Sequence, residues 1–247
     1  MVFDLLLESV IVLSTLGMAA LVILTTKPCR NFGVPYLLAI PAGFGLMTVA
    51  YVIQSVTPFI ASGVPQLASP IDAIQLLIQT YAILFIAFAY ARRTRLRLLG
   101  ESTLFDLLVA ALVTLVFLGV VFLTQPYGTL SAAITNGEFL LRATDMAACI
   151  YLVYETFRNW TLTQKASQGI VTIGFAFLVI EQIGFVLAMA NLGSVAVFLA
   201  YEGRIMALFV LNAILIVGMK KDDPIGIMRR LGLVAPVHAR LAELYST

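Results

Sequence analysis

Histidine and lysine are missing from the hydrophobic parts of this chain. The only histidine is His238, near the C-terminus, and the four lysines, Lys27, Lys165, Lys220 and Lys221, all lie between or after hydrophobic runs. Without a lysine in mid-membrane no retinal Schiff base can form, and without histidine a membrane haem lacks its usual axial ligand. Zinc and copper sites built on histidine and cysteine are likewise excluded, so we expect no cofactor and no metal.

Motifs of known catalytic chemistry are also absent. The sequence holds no His-Glu-x-x-His, no Gly-x-Ser-x-Gly and no paired-aspartate motif of an intramembrane protease. Serine–histidine catalysis within the membrane is excluded by the position of His238. We therefore expect that the chain is not an enzyme.

Charged residues are scarce, at 11% of the chain, and hydrophobic residues make up 61%. A soluble domain averages about 25% charged residues. Seven hydrophobic runs each supply the roughly 20 residues that a helix needs to cross the hydrocarbon core, where lipid offers the backbone no hydrogen-bond partners. The chain is therefore predicted to be an all-α integral membrane protein, with a seven-transmembrane-helix bundle over 1–221. The predicted spans are 3–26, 34–56, 70–92, 103–124, 136–158, 167–190 and 196–219.

Lysine and arginine outside these spans fall on one side of the predicted membrane. They follow the odd-numbered spans, at Lys27, Arg30, 92–97, 158–165 and 220–240, and none lies at the N-terminus or after an even-numbered span. Cytoplasmic loops retain these residues, so we predict a multi-pass protein of the cell membrane with its N-terminus outside and its C-terminus in the cytoplasm. The basic inner face should attract anionic lipids. No loop interleaves basic and aromatic residues, so no nucleic-acid partner is expected.

The sequence also predicts a retained first span and a short C-terminal tail. The N-terminus has Asp4 and Glu8 in place of a basic segment, so the first span should be retained rather than cleaved as a signal peptide. Residues 222–247 are predicted to form a short cytoplasmic tail, in which the amphipathic stretch 225–233 lies as a helix along the inner leaflet.

Two residues within the spans predict local features of the bundle. Pro41 predicts a kink near the middle of the second span, because proline removes a backbone hydrogen bond. Asn212, deep in the seventh span, is expected to hydrogen-bond to a neighbouring helix.

Polar and ionisable side chains within the spans gather at one depth. Charged groups there cost about 2.5–3.5 kcal/mol on insertion scales and usually mark functional sites. At a rise of about 1.5 Å per residue, those of five spans lie in the outer half of the membrane, above an almost wholly apolar inner half. This predicted polar layer contains Glu8, Asp72, Gln75, Gln79, Glu138, Arg142, Asp145, Glu181, Glu202 and Arg204.

The spacing along the helices indicates which of these side chains meet. Glu138, Arg142 and Asp145 share one helical face, so Arg142 can be bracketed by two acids. Because breaking a buried ion pair costs about 3–5 kcal/mol, Arg142→Ala is predicted to lower thermal stability markedly. Glu202 and Arg204 point about 200° apart around their helix, so at most one of them faces the centre of the bundle.

Two interpretations of the polar layer remain open. It is either an internal network that fixes the order of the helices, or an outward-facing pocket for a small ligand, a cation or a proton. For the pocket we predict that Asp145 or Glu181 faces the interior, within salt-bridge reach of Arg142 or Arg204. The ligand-binding residues in that interpretation are Asp72, Gln75, Gln79, Arg142, Asp145, Glu181, Tyr201, Glu202 and Arg204.

These features predict a receptor- or sensor-like protein that binds a small ligand or cation in the polar layer and acts through separate cytoplasmic or membrane partners. A transporter of a small solute, cation or proton is the first alternative, although the dry inner half argues against an open path. The second alternative is a non-catalytic subunit of a larger membrane complex, with a flank of small residues such as Ala143 and Ala147 for helix contact.

Overall fold

The computed structural model describes residues 2–31, 35–95, 103–124, 130–190, 193–219 and 231–232. In these residues the fold is all-α, as predicted, and it contains no strand. Short 3₁₀ turns precede the second and third helices, at Pro35–Leu38 and Pro65–Leu67. The seven helices are α1 (Val2–Asn31), α2 (Ala39–Gly63), α3 (Ala68–Arg95), α4 (Thr103–Thr124), α5 (Leu130–Thr163), α6 (Ala166–Met189) and α7 (Ser194–Met219).

Five of these helices, α1, α2, α3, α6 and α7, are long and apolar enough to cross a membrane. The described apolar part of α4 is shorter, Leu108–Thr124. α5 is long but less apolar, because Glu138, Arg142 and Asp145 lie along it. Several long apolar helices indicate a multi-pass membrane protein, while the orientation in the membrane stays a prediction. Among the large apolar side chains more than 70% exposed are Ile23, Leu123, Leu162 and Val195.

Six helices form a closed ring in the order α1, α2, α3, α5, α6 and α7, and α7 returns to α1. α4 lies outside this ring, where it packs mainly on α5. Helices that follow each other in sequence are usually neighbours, but α3 and α5 here contact each other directly. The exclusion of α4 fits its composition, since its part Leu108–Thr124 is almost wholly apolar and such a helix suits surroundings of lipid.

Small residues let the helices of the ring approach closely. A Cβ added to Gly43 in α2 would lie 2.7 Å from the Ala82 carbonyl oxygen in α3. A Cβ added to Gly184 in α6 would lie 2.5 Å from the Ala200 amide nitrogen in α7, and one added to Gly203 in α7 would lie 2.8 Å from the Glu181 amide nitrogen in α6. Such contacts between small residues hold membrane helices together without polar groups.

The structure contradicts the prediction made for Pro41 and confirms the one made for Asn212. Pro41 lies in the first turn of α2, where a missing N–H removes no bond from the helix interior. Pro41 therefore starts this helix instead of kinking its middle, which corrects the prediction. The Asn212 side chain donates to the Gly17 carbonyl oxygen of α1 at 3.1 Å, and this confirms the interhelical hydrogen bond.

The predicted tail helix over 225–233 lies outside the described residues, apart from Leu231 and Gly232. Leu231 is buried, and its carbonyl oxygen accepts a hydrogen bond from the Tyr90 hydroxyl at 2.7 Å. The Tyr90 ring in turn meets Phe175 of α6 edge-on. Leu231 therefore lies against α3 of the bundle.

Candidate ligand-binding site

The predicted polar layer lies inside the ring, towards the end of the bundle that holds the α2–α3 and α6–α7 connections. We call this the outer end, after the predicted topology. Polar groups in apolar surroundings need partners, and the interior of the ring is where side chains from different helices can supply them. The buried members of the layer are Gln75, Gln79, Arg142, Asp145, Glu181 and Arg204.

Arg204 of α7 is fully buried and contacts polar or aromatic groups from three helices. Its Nε and Nη2 atoms each lie 2.8 Å from Glu181 Oε1 in α6, and Nη1 donates to Gln54 Oε1 in α2 at 2.8 Å. The guanidinium also lies 4.1 Å from the centroid of the Tyr51 ring and 5.1 Å from that of Tyr201. The prediction that Glu181 faces the interior beside an arginine is confirmed, and this ion pair joins α6 to α7.

Arg142 of α5 is buried too, but its direct contacts are with neutral groups. Its Nη1 donates to Gln182 Oε1 at 3.3 Å, and its guanidinium lies 4.2 Å from the centroid of the Phe185 ring. Among the described residues no carboxylate forms an ion pair with it. The predicted bracketing by Glu138 and Asp145 is therefore not a direct contact, although both acids lie near enough to act on Arg142 through space.

We expect Arg142→Ala to lower the free energy of unfolding by about 1.5 kcal/mol, because it removes one charged hydrogen bond and one ring contact. This is less than the ion-pair interpretation of the sequence predicted. Thermal unfolding of the purified protein in detergent measures the loss, with Glu202→Ala as the control for a charge removed from an exposed position. A loss above about 3 kcal/mol would mean that Arg142 pairs with a buried acid after all.

Asp145 is fully buried, and neither of its carboxylate oxygens has a hydrogen-bond partner among the described residues. The Thr80 side chain of α3 lies beside it, but the Thr80 hydroxyl donates to the Leu76 carbonyl oxygen at 3.0 Å. Glu181 differs, because one of its oxygens is bonded to Arg204. Asp145 therefore has unused bonding capacity for a proton or a cation.

An open pocket of about 380 Å³ lies at the outer end, next to Arg142. Asp72 is exposed at its mouth, and the buried Gln75 donates from Nε2 to Gln79 Oε1 at 3.1 Å. The pocket combines two carboxylates, a guanidinium and two amides with an apolar wall, and its size falls in the range of small-molecule sites. Its lining residues are Gln54, Asp72, Gln75, Leu76, Glu138, Arg142, Phe185, Ala188 and Met189.

The structure divides the predicted site residues into three groups. Asp72, Gln75 and Arg142 line the pocket. Glu202 is not brought to the site, because it is exposed on α7, two residues and about 200° away from Arg204. A supporting group does not line the pocket but packs within the ring. It consists of Gln79, Asp145, Glu181, Arg204 and Tyr201, whose hydroxyl accepts a hydrogen bond from Gln54 at 3.2 Å.

Besides the aliphatic residues of the pocket wall, the sequence analysis missed four polar or aromatic residues of the site: Tyr51, Gln54, Gln182 and Phe185. Gln54 and Gln182 are amides inside apolar spans, at the depth of the polar layer, and this position is a signal that could have found them. Tyr51 and Phe185 gave no such signal, because aromatic rings are common in membrane helices and at their ends. Only the packing places these two rings against guanidinium groups.

A second, apolar groove of about 340 Å³ lies between α3 and α5, nearer the inner end. Small side chains line much of it, among them Ala87 and Ala91 of α3 and Ala147 and Ala148 of α5. Ala147 is exposed there, on the flank that the complex-subunit alternative requires. The described residues that line this groove include no charged one, so they lack the binding chemistry of the outer pocket.

No protein-family model, curated protein or solved structure matches this chain. Its function is therefore inferred from the geometry of the site.

Proposed function

We propose that this protein is receptor- or sensor-like, binds a small ligand in the outer pocket, and acts through separate proteins at its inner face. The observation that carries the proposal is Arg142, a buried guanidinium that lines an open pocket and has no ion pair among the described residues. Charged groups inside a membrane bundle are costly and are usually retained for function. The ion pair with Glu181 gives Arg204 a structural role. Arg142 forms no ion pair among the described residues, so such a role does not account for its burial.

The inner half of the ring supports a receptor more than a transporter. Below the polar layer, Asn212 gives both hydrogen bonds of its amide to backbone carbonyl oxygens. The other buried polar side chains of the inner half, among them Arg92, Glu155, Asn159, Gln168 and Thr172, lie towards the inner ends of their helices. A transporter needs groups that solvate its cargo on both sides of the site. The buried floor consists mainly of large apolar side chains, including Phe44, Met47, Ile83, Ile86, Phe175, Leu178 and Leu211.

A proton- or cation-coupled transporter is the second candidate, favoured by the unbonded Asp145 in the middle of α5. Carboxyl groups buried in transporters serve as proton or cation sites. The two candidates differ in whether the pocket ever opens towards the inner end.

Thiol labelling from each side of the membrane tests this difference. In a Cys29→Ala, Cys149→Ala background, Gln75→Cys places a thiol in the pocket wall. Ile83→Cys, about two turns deeper on the same helix, is the matched control in the floor. We expect a membrane-impermeant cationic methanethiosulfonate to label Gln75→Cys in intact cells and not in inside-out vesicles, and to leave Ile83→Cys unlabelled from both sides.

Each other result has a distinct meaning. Labelling of Gln75→Cys from both sides would favour the transporter over the receptor. Labelling only in inside-out vesicles would reverse the predicted topology. No labelling from either side would show that the pocket is closed in the membrane and would remove the basis of the proposal.

A further inference from the structure

The charges of the outer pocket are arranged by depth. Asp72 is exposed at the mouth and Glu138 is half-buried, while Arg142 lies one helical turn below Glu138 and is buried. Residues four apart on a helix are neighbours, about 5–6 Å apart at Cβ. The pocket therefore presents negative charge at its mouth and positive charge at its base.

The base of the pocket is a preorganised anion site. Phe185 packs against the face of the Arg142 guanidinium, and Gln182 accepts one hydrogen bond from it. Its other N–H groups are not engaged by a carboxylate of the described residues. A guanidinium held in this way binds a carboxylate through two parallel hydrogen bonds.

The mouth of the pocket suits a cation. Asp72 of α3 and Glu138 of α5 both line the pocket, so two carboxylates face it from neighbouring helices. Of the residues that the structure describes, Arg142 is the only lysine or arginine that lines the pocket. An ammonium group between the two carboxylates would relieve their repulsion and could hydrogen-bond to both.

The remaining wall is apolar, and Leu76, Ala188 and Met189 form it together with the Phe185 ring. A ligand that fills both charged positions therefore has room for a hydrophobic side chain beside them.

We propose that the ligand of the outer pocket is a small zwitterion, of the kind that an α-amino acid with an apolar side chain represents. Its carboxylate is bound by Arg142, and its ammonium group lies between Asp72 and Glu138. This inference rests on the proposed function and specifies its ligand class. A cationic amine without a carboxylate is the competing ligand class, because the pocket is lined by two carboxylates and only one guanidinium.

The experiment compares three probes that share one side chain: L-leucine, its methyl ester, which keeps only the cation, and N-acetyl-L-leucine, which keeps only the anion. Titration calorimetry on the full chain in nanodiscs gives the three dissociation constants. We expect L-leucine to bind at least about tenfold more tightly than either derivative, since each lost charge removes a charge-assisted hydrogen bond.

Variants separate direct recognition from a general loss of structure. Arg142→Gln should weaken the binding of L-leucine at least about tenfold and leave the binding of the ester nearly unchanged. Glu138→Gln should weaken the binding of L-leucine and the ester alike and spare N-acetyl-L-leucine. Glu202→Gln, which alters an exposed carboxylate outside the pocket, should change none of the three constants.

Equal binding of the ester and L-leucine would overturn the zwitterion and assign a cationic ligand. If no probe binds while Gln75→Cys is labelled from outside, the zwitterion class is wrong and the pocket stands. If Gln75→Cys cannot be labelled, the proposed function fails together with this inference.

Discussion

Replacing Arg204 with alanine is expected to destabilise the protein by about 3–5 kcal/mol, the cost of leaving a buried charge without its partner. Glu181 is fully buried and would lose the only ion pair that it forms in the described part of the chain. Gln54 would lose a hydrogen bond to a charged donor, and the rings of Tyr51 and Tyr201 would lose the guanidinium between them. α2, α6 and α7 all contribute to these contacts, so the loss weakens the ring at three helices at once.

The loss is measured as the shift of the thermal unfolding midpoint in detergent. Glu202→Ala is the matched control, since it removes a charge from the exposed face of the same helix, two residues away, and should cost less than about 0.5 kcal/mol. If Arg204→Ala does not fold, the double variant Arg204→Met, Glu181→Leu keeps the test open. Replacing both partners by apolar residues of similar size is often neutral, so most of the stability should return.

A midpoint for Arg204→Ala equal to that of Glu202→Ala would show that Arg204 reaches solvent or headgroups, and that its pairing with Glu181 contributes little. A double variant as unstable as Arg204→Ala would place the effect outside the ion pair.

Substituting leucine for Gly184 should have an effect of similar size, at least about 3 kcal/mol, at the upper end of what overpacking costs. The first added atom, the Cβ, would lie 2.5 Å from the Ala200 amide nitrogen and 2.7 Å from its Cα. These are backbone atoms of α7, which cannot turn aside as a side chain can, so the two helices must separate. Their separation would also pull Arg204 away from Glu181, because both contacts join α6 to α7.

Gly45→Leu is the control for this substitution, because nothing lies within 4 Å of a Cβ added at Gly45 in α2. It should leave stability unchanged or raise it slightly, since glycine within a helix costs about 0.5–1 kcal/mol relative to alanine. Thermal unfolding of the two variants under the same conditions measures the difference. Equal midpoints for Gly184→Leu and Gly45→Leu would mean that α6 and α7 are not in close contact at this point.

The sequence by itself determined the helices and the depth of the polar residues. Seven apolar runs predicted seven helices, and the described residues form seven, of which five are long and apolar enough to cross a membrane. Counting residues along each run then placed Asp72, Arg142, Glu181 and Arg204 at similar depth. Depth depends only on position along a helix, so one sequence is enough to read it.

Only the tertiary structure decided which of these groups meet. Helical spacing assigned both neighbouring acids to Arg142, yet Glu181 on another helix pairs with Arg204, and Arg142 packs on Phe185. Pairing depends on how each helix is rotated about its axis and on which helices are neighbours. Those are set by contacts such as Gly184 against Ala200, which a hydrophobic pattern does not encode.

The position of α4 has the same cause. Because Leu108–Thr124 is almost wholly apolar, this part of α4 fits the interior of the bundle and its lipid-facing surface equally well. The contact between α3 and α5 places α4 outside the ring and leaves the polar side chains of the other helices to enclose a pocket. Position along each helix therefore set how deep the charges lie, and the packing of the six-helix ring decided that Arg142, and not Arg204, lines the outer pocket.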